Sequence, residues 1–378
     1  MTNRITETLT AWIFLAPALL VLTTFGLFPI GYAVFVSMHQ WRIRKGIFIG
    51  LEHYQRALGD PQALVWLAFG CLFLWLTVRY RARIRQVLSG SPIGLVVYLL
   101  LLTGSLWIVF AKGLTVMVET GDHRLYNGLR VTAFYAIGTI PVQLTVAMLL
   151  AYLLFMSLWG KGAFRLLLFL PYVTPVIASA VVFRAIFSPH PASMANRIRA
   201  LLGLAPSRWL YESTSVVGLL LESLGWSQYP SWIDAAFPSL ALVSIIMYNI
   251  WVYIGYATVI LLAGLSAIPK QYYEAAEIDG ANSWQVFRNV TLPLVSPTLF
   301  FLSMVAVIGT FKAFNHIYIM RTPGARESVD VISIAIFDLI FEYHNAGYAS
   351  AIAFILFAVI TFLTLMQNRL LGRRVFYG

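Results

Sequence analysis

Eight long apolar runs set the limits on what this chain can become. A helix needs about 20 consecutive apolar residues to cross the hydrocarbon of a bilayer. Residues 11–37, 62–78, 92–111, 129–156, 164–187, 239–265, 293–320 and 347–367 meet or approach that length. In lipid, backbone N–H and C=O groups must be paired within the segment, so such runs fold as helices. The expected fold class is all-α, a polytopic bundle of eight transmembrane helices. Composition agrees, with 60% of the 378 residues hydrophobic and 11% charged, where a soluble domain has about a quarter charged. The formal net charge of +11 does not imply nucleic acid. The basic residues flank apolar runs, where they meet lipid headgroups. Cys71 is the lone cysteine, so no internal disulfide forms. The first run is too long for a signal peptide, and no small-residue cleavage site follows it. It is expected to stay as a membrane helix.

One polar interruption is far more patterned than the others. Residues 268–293 read IPKQYYEAAEIDGANSWQVFRNVTLP, two short helices joined by a turn. Pro269 suits a first helical turn, where its missing N–H costs nothing. Gly280 is placed to end that helix in a left-handed cap. Asn282 or Ser283 can cap a second helix through Phe287, and Pro293 opens the next apolar run. A helix this short is marginal alone and has to pack against something. Ala275 and Ala276 leave a low surface for another protein's groove, and Glu274, Glu277 and Asp279 surround it with charge.

The spacing Glu274-Ala275-Ala276, Gly280, Val290, Leu292-Pro293 resembles the EAA loop of ABC importer permeases, and Ile278-Asp279-Gly280-Ala281 resembles the carbohydrate-uptake branch. The similar relatives are the larger maltose-type and glycerol-phosphate-type subunits. The resemblance implies a type I ABC importer transmembrane fold and an inner-membrane location. It implies three kinds of protein partner: a second homologous permease, two ATP-binding subunits and an extracytoplasmic solute-binding protein. ATP and Mg would then lie in the partners, with no cofactor in this chain. Glu274, Ala275, Ala276, Asp279, Gly280, Leu292 and Pro293 would couple the chain to the ATPases. That places the loop 266–292 and both termini in the cytoplasm. Arg79, Arg81, Arg83 and Arg85, with Arg369, Arg373 and Arg374 in the tail, fit a positive inside; Arg42, Arg44 and Lys45 oppose it.

Three regions follow: 1–61, an N-terminal span and external loop; 62–126, an extra membrane hairpin read as an insertion; and 127–378, the core permease. The external loop 188–238 carries Trp209, Trp226, Tyr229 and Trp232. It reads either as headgroup anchors or as a platform for the binding protein.

Polar groups at membrane depth are costly and face a cavity or another helix. Asn249, Tyr253 and Tyr256 share one helical face by their spacing. Counted back from Ile268-Pro269, that face matches the sugar-lining face of the maltose-type subunit, with Tyr253 standing in place of a Gly. Aromatic faces pack on sugar rings and amides bond their rims; interhelical hydrogen bonding is the plainer alternative. Thr310 falls at a sugar-binding position of the same relative. Lys312 either meets an anionic substrate or snorkels outward. Ser179 is a further candidate, though a helical serine often bonds its own backbone. Asp338 and Glu342 read as a solvated face.

Enzyme and metal chemistry find no support. The G-x-x-x-x-G-K-[ST] pattern is absent, and the six histidines have no metal-ligand spacing. The reading is a permease for a sugar or sugar-like solute. The alternative is an ion-gradient-driven transporter or channel, which wants intramembrane carboxylates that the apolar runs lack.

Overall fold

The computed structural model describes residues 2–80, 92–156, 160–226 and 228–375. Arg81, Arg83 and Arg85 of the expected basic cluster lie outside the described residues. Among those described, seven helices are long and apolar enough to cross a membrane. A further pair, Lys161–Val173 and Val176–Ile186, is bent by 94° and makes eight if it forms one span.

The chain divides into two compact units, Met1–Tyr126 with Ile336–Ile355, and Asn127–Ala335 with Leu356–Gly378. In the first, helices Thr2–Leu22 and Phe28–Ser37 join through a π turn, Thr23–Leu27, into one span. The loop after it holds what hydrophobic pattern alone did not show. A small antiparallel hairpin pairs His39 with Phe48 and Trp41 with Lys45, and helix Glu52–Leu58 follows. Asp60 then caps helix Pro61–Arg79 through the Gln62 amide at 2.9 Å, with Pro61 in the first turn. This helix packs against the segment made of Pro92–Trp107 and the π turn Ile108–Leu114. Glycine sets the closeness of that pairing. A Cβ at Gly70 would stand 2.8 Å from Val109, and one at Gly113 would stand 3.0 Å from Leu67. The segment continues to Thr120, further than the expected end at residue 111.

The second unit is built on helix Leu240–Ser266. Ser239 caps it by accepting from the Leu242 amide at 3.1 Å, and its middle is the most buried stretch among the spans. The bent pair lies against it. The bend has a local cause: Pro175 disfavours helical backbone at Thr174, which is extended with ψ 136°. Only glycine permits the approach between the two helices. A Cβ at Gly255 would stand 1.7 Å from the Leu168 carbonyl oxygen.

One expectation fails here. The run 293–320 is not one span. Helix Leu292–Phe311 ends at a cap formed by Lys312, and a new helix starts at Asn315. Phe314 (φ −141°, ψ −64°) breaks the path, and the Thr310 hydroxyl bonds back to the Ala306 and Val307 carbonyls at 2.9 and 3.0 Å. Pro293 does open the next apolar run, in the first turn of helix Leu292–Phe311. The chain runs as one 29-residue candidate span, Ser283–Phe311, through a π turn at Phe287–Thr291. Proline inside a helix removes a hydrogen bond and crowds the carbonyl four residues back; the wider π turn just upstream absorbs both.

The loop 188–238 is indeed a set of short helices: Met194–Leu201, Trp209–Tyr211, Val216–Ser223 and Trp232–Ala236. Its aromatics differ in kind. Trp209 donates to the Asn196 side chain at 2.8 Å and packs on Phe187, while Trp226 and Trp232 are exposed.

Candidate functional site

A cavity of 270 Å³ lies within the second unit, between helices Leu240–Ser266 and Leu292–Phe311 and the bent pair. Ligand pockets start at about 300 Å³, so this one is small. Asn249, Tyr253, Tyr256, Thr310 and Lys312 all line it. Their juxtaposition follows from two features already described. The 249/253/256 face of one helix turns toward the other, and the early end at Phe311 leaves Lys312 beside the opening between them.

Ser179 is placed elsewhere. Its buried hydroxyl lies 2.7 Å from the Tyr248 hydroxyl and bonds the Pro175 and Val176 carbonyls, so it ties the bent pair to the central helix. Among the described residues it does not line the cavity, which corrects its candidacy as a substrate ligand.

The remaining wall was not anticipated. Tyr172 stacks on Tyr256 with ring centroids 4.7 Å apart and meets Tyr253 edge-on at 5.7 Å, giving a three-ring aromatic wall. Gln143, Asn315 and His316 complete the polar lining. Asn249 is 5% exposed and Gln143 is 6% exposed, yet among the described residues neither side-chain amide makes a hydrogen bond. Their amide atoms are open to the cavity rather than sealed inside the protein. Two such amides around one cavity amount to unmet donors and acceptors facing a shared space. His316 is occupied, its Nε2 lying 2.7 Å from the buried Tyr135 hydroxyl. Gln143 carried a signal that pattern reading passed over: it is a lone amide within the apolar run 129–156.

The patterned loop forms helix Lys270–Ile278, with Pro269 at its N-cap rather than inside the first turn. Gly280 is left-handed at φ +73°. The Ala281 amide bonds the Ala276 carbonyl at 2.9 Å and the Gly280 amide bonds the Glu277 carbonyl at 3.0 Å. These two bonds are the Schellman closure that glycine favours. Asn282 and Gln285 then form a reciprocal capping box, each side chain bonding the other's backbone amide at 2.8 and 2.9 Å. The short helix is held down by Tyr273, which packs on Phe155 and accepts from Thr291 at 3.5 Å. Burial raises the Tyr273 phenol above its ordinary pKa, so it stays neutral there.

The two alanines do not share a surface. Ala276 is 9% exposed and turned inward, while Ala275 is exposed, so only the latter fits a low outward face. Glu274, Glu277, Asp279 and Gly280 are exposed, and Ile278 is 86% exposed. Among the described residues Glu274 and Asp279 have no side-chain partner. Leu292 is exposed and Pro293 half-buried at the start of the membrane helix.

Comparison with known proteins gives a consistent outcome. The model of the family described as "Binding-protein-dependent transport system inner membrane component" matches residues 143–377. The chain is 30% identical over 250 residues to the probable ABC transporter permease protein YesP of Bacillus subtilis (strain 168), covering 65% of this chain and 72% of that protein. It is 28% identical to the lactose transport system permease protein LacF of Rhizobium radiobacter, covering 78% and 92%. Among solved structures, a chain of a bacterial alginate ABC transporter in complex with an alginate pentasaccharide-bound periplasmic protein aligns with TM-score 0.56 and 20% identity. The alignment covers 79% of this chain and 97% of that one, and the likeness is one of fold.

Proposed function

The chain belongs to the family of binding-protein-dependent transport system inner membrane components, and from that premise we propose that it carries a sugar or sugar-like solute through the cavity lined by Asn249, Tyr253, Tyr256 and Gln143. Its fold is the type I ABC importer transmembrane fold. Relatives named for lactose, arabinooligosaccharides and trehalose/maltose support the solute class.

The observation that carries the reading is the cavity's chemistry. Three tyrosine rings offer flat apolar faces, and two cavity-lining amides with no hydrogen bond among the described residues offer bonds at their edge. Sugar rings have the complementary surface, C–H faces with a rim of hydroxyls. No Asp or Glu lines the cavity among the described residues, which leaves an ion-gradient mechanism without its usual ligands.

Helix Lys270–Ile278 is the coupling element in this account. Glu274, Ala275, Asp279 and Gly280 face an ATP-binding subunit, and Leu292 and Pro293 pass its displacement to the span lining the cavity. The continuous path from Ser283 to Phe311 supports this, because a rigid helix transmits motion that a hinge would dissipate. Two ATP-binding subunits hold ATP and Mg, a second homologous permease completes the pathway, and an extracytoplasmic solute-binding protein delivers the solute. Both termini and the 266–292 loop face the cytoplasm.

The test is uptake by the complete transporter in proteoliposomes, with its binding protein and solute. Asn249→Ala removes one cavity-lining amide and is expected to lower the initial rate by up to about tenfold, from the net worth of about 0.5–1.5 kcal/mol of a neutral hydrogen bond. Unchanged uptake in both Asn249→Ala and Tyr256→Ala variants would remove the cavity from the pathway.

A further inference from the structure

We infer that the solute carried through this cavity is anionic, with a carboxylate or phosphate group received by the Lys312 ammonium. The inference rests on the sugar-permease reading and narrows it to acidic or phosphorylated saccharides.

Lys312 is the one side chain of fixed charge among the residues lining the cavity, and no Asp or Glu stands with it there. Among the described residues it has no ion pair and no side-chain hydrogen bond. Lys312 is exposed, so its charge stands without a counterion. Lys312 caps the C-terminus of helix Leu292–Phe311, where the last carbonyls present partial negative charge. That partial charge steadies the ammonium but does not neutralise it.

The neighbours are those an oxyanion needs. Gln143, Asn249 and Asn315 bring three amide groups to the same lining, and the first two make no hydrogen bond among the described residues. Gly309, one turn before Lys312, lines the cavity with nothing within 4 Å of where its Cβ would stand. Space is therefore open in the cavity one turn before Lys312. A lysine serving only to reach water would not require an open, amide-lined recess beside it. A charge-assisted bond from an ammonium is stronger than a neutral one, so this group sets preference among solutes that the tyrosines hold equally.

The experiment measures equilibrium binding to the complete permease–ATPase assembly in nanodiscs, without the binding protein. The probes are digalacturonate, glucose 6-phosphate and the neutral disaccharide maltose. The wild type is expected to bind at least one anionic probe about tenfold tighter than maltose at low salt, with the preference shrinking as salt screens the charge. Which anion wins separates carboxylate from phosphate. In Lys312→Met the anionic-to-neutral ratio should fall to within about threefold of unity, whereas Lys312→Arg should keep it. An unchanged ratio in Lys312→Met overturns the inference. So does equal or tighter wild-type binding of maltose; if Asn249→Ala then abolishes that binding, the sugar reading survives and only the charge assignment is lost. Failure of every probe to bind the wild type sinks both together.

Discussion

Replacing Glu274 by Ala and Gly280 by Pro together is expected to leave a folded membrane protein that no longer couples ATP hydrolysis to uptake. The side chain of Glu274 is exposed and has no partner within the described chain, so its removal costs the isolated subunit nothing. Across an interface it would make a charge-assisted contact, of about 1.5–3 kcal/mol. That range corresponds to a loss of about 10- to 100-fold in productive engagement. Gly280→Pro acts on shape. Proline holds φ near −65° and has no N–H, while Gly280 sits at +73° and donates to the Glu277 carbonyl. The Schellman closure is lost and helix Lys270–Ile278 changes its exit direction. Solute-stimulated ATP hydrolysis and uptake should both fall to background, with basal hydrolysis and expression retained. Glu274→Ala alone should give an intermediate phenotype. Wild-type stimulation in the double variant would show that the loop does not carry the coupling.

The second large effect is expected at Gly255. It lies in sequence between Tyr253 and Tyr256 but off the face that lines the cavity, and an added Cβ there would stand 1.7 Å from the Leu168 carbonyl oxygen. Neither partner can yield cheaply, because both are backbone. Overpacking a core costs about 1–3 kcal/mol even where side chains can adjust. Gly255→Val should therefore reduce the amount of protein recovered in membranes about fivefold, in line with the effect of such losses on abundance. The fraction that survives should bind no solute, since parting the helices also parts Tyr172 from Tyr256. Gly162→Ala, on the same facing helix with nothing within 4 Å of its added Cβ, should behave as wild type. Equal recovery of the Val variant would mean that these helices do not pack as described.

These two sites differ in how openly the sequence announces them. Gly280 could be read in advance, because a glycine directly after a run of helix formers has one common use and only local geometry decides it. The spans could be read for a similar reason: apolar length is a local property. Gly255 gives no such signal. A glycine in a membrane helix is unremarkable until the facing backbone is known, and Leu168 is distant in sequence. The same applies to Tyr172, which stands on the bent pair just before Thr174–Pro175, whereas Gln143, on helix His123–Phe155, was visible as a lone amide in an apolar run. Lys312 was legible as a charge in an apolar run but not as a helix end. No glycine or proline marks the stop at Phe311, and the break comes from Phe314 and the hydroxyl of Thr310. The inward turn of Ala276 was hidden too, since which of two adjacent alanines is covered depends on Tyr273 and Phe155.

The central claim is that helix Lys270–Ile278 is driven by an ATP-binding subunit, and cross-linking from Ile278 tests it most directly. Ile278 is 86% exposed, and its replacement by Cys in a Cys71→Ser background provides a single reactive thiol. In the assembled transporter that thiol should cross-link to the ATP-binding subunit and resist a water-soluble maleimide, and the protection should vanish when the subunit is stripped away. Equal labelling with and without that subunit, or labelling from the outer face of intact cells, would contradict the account.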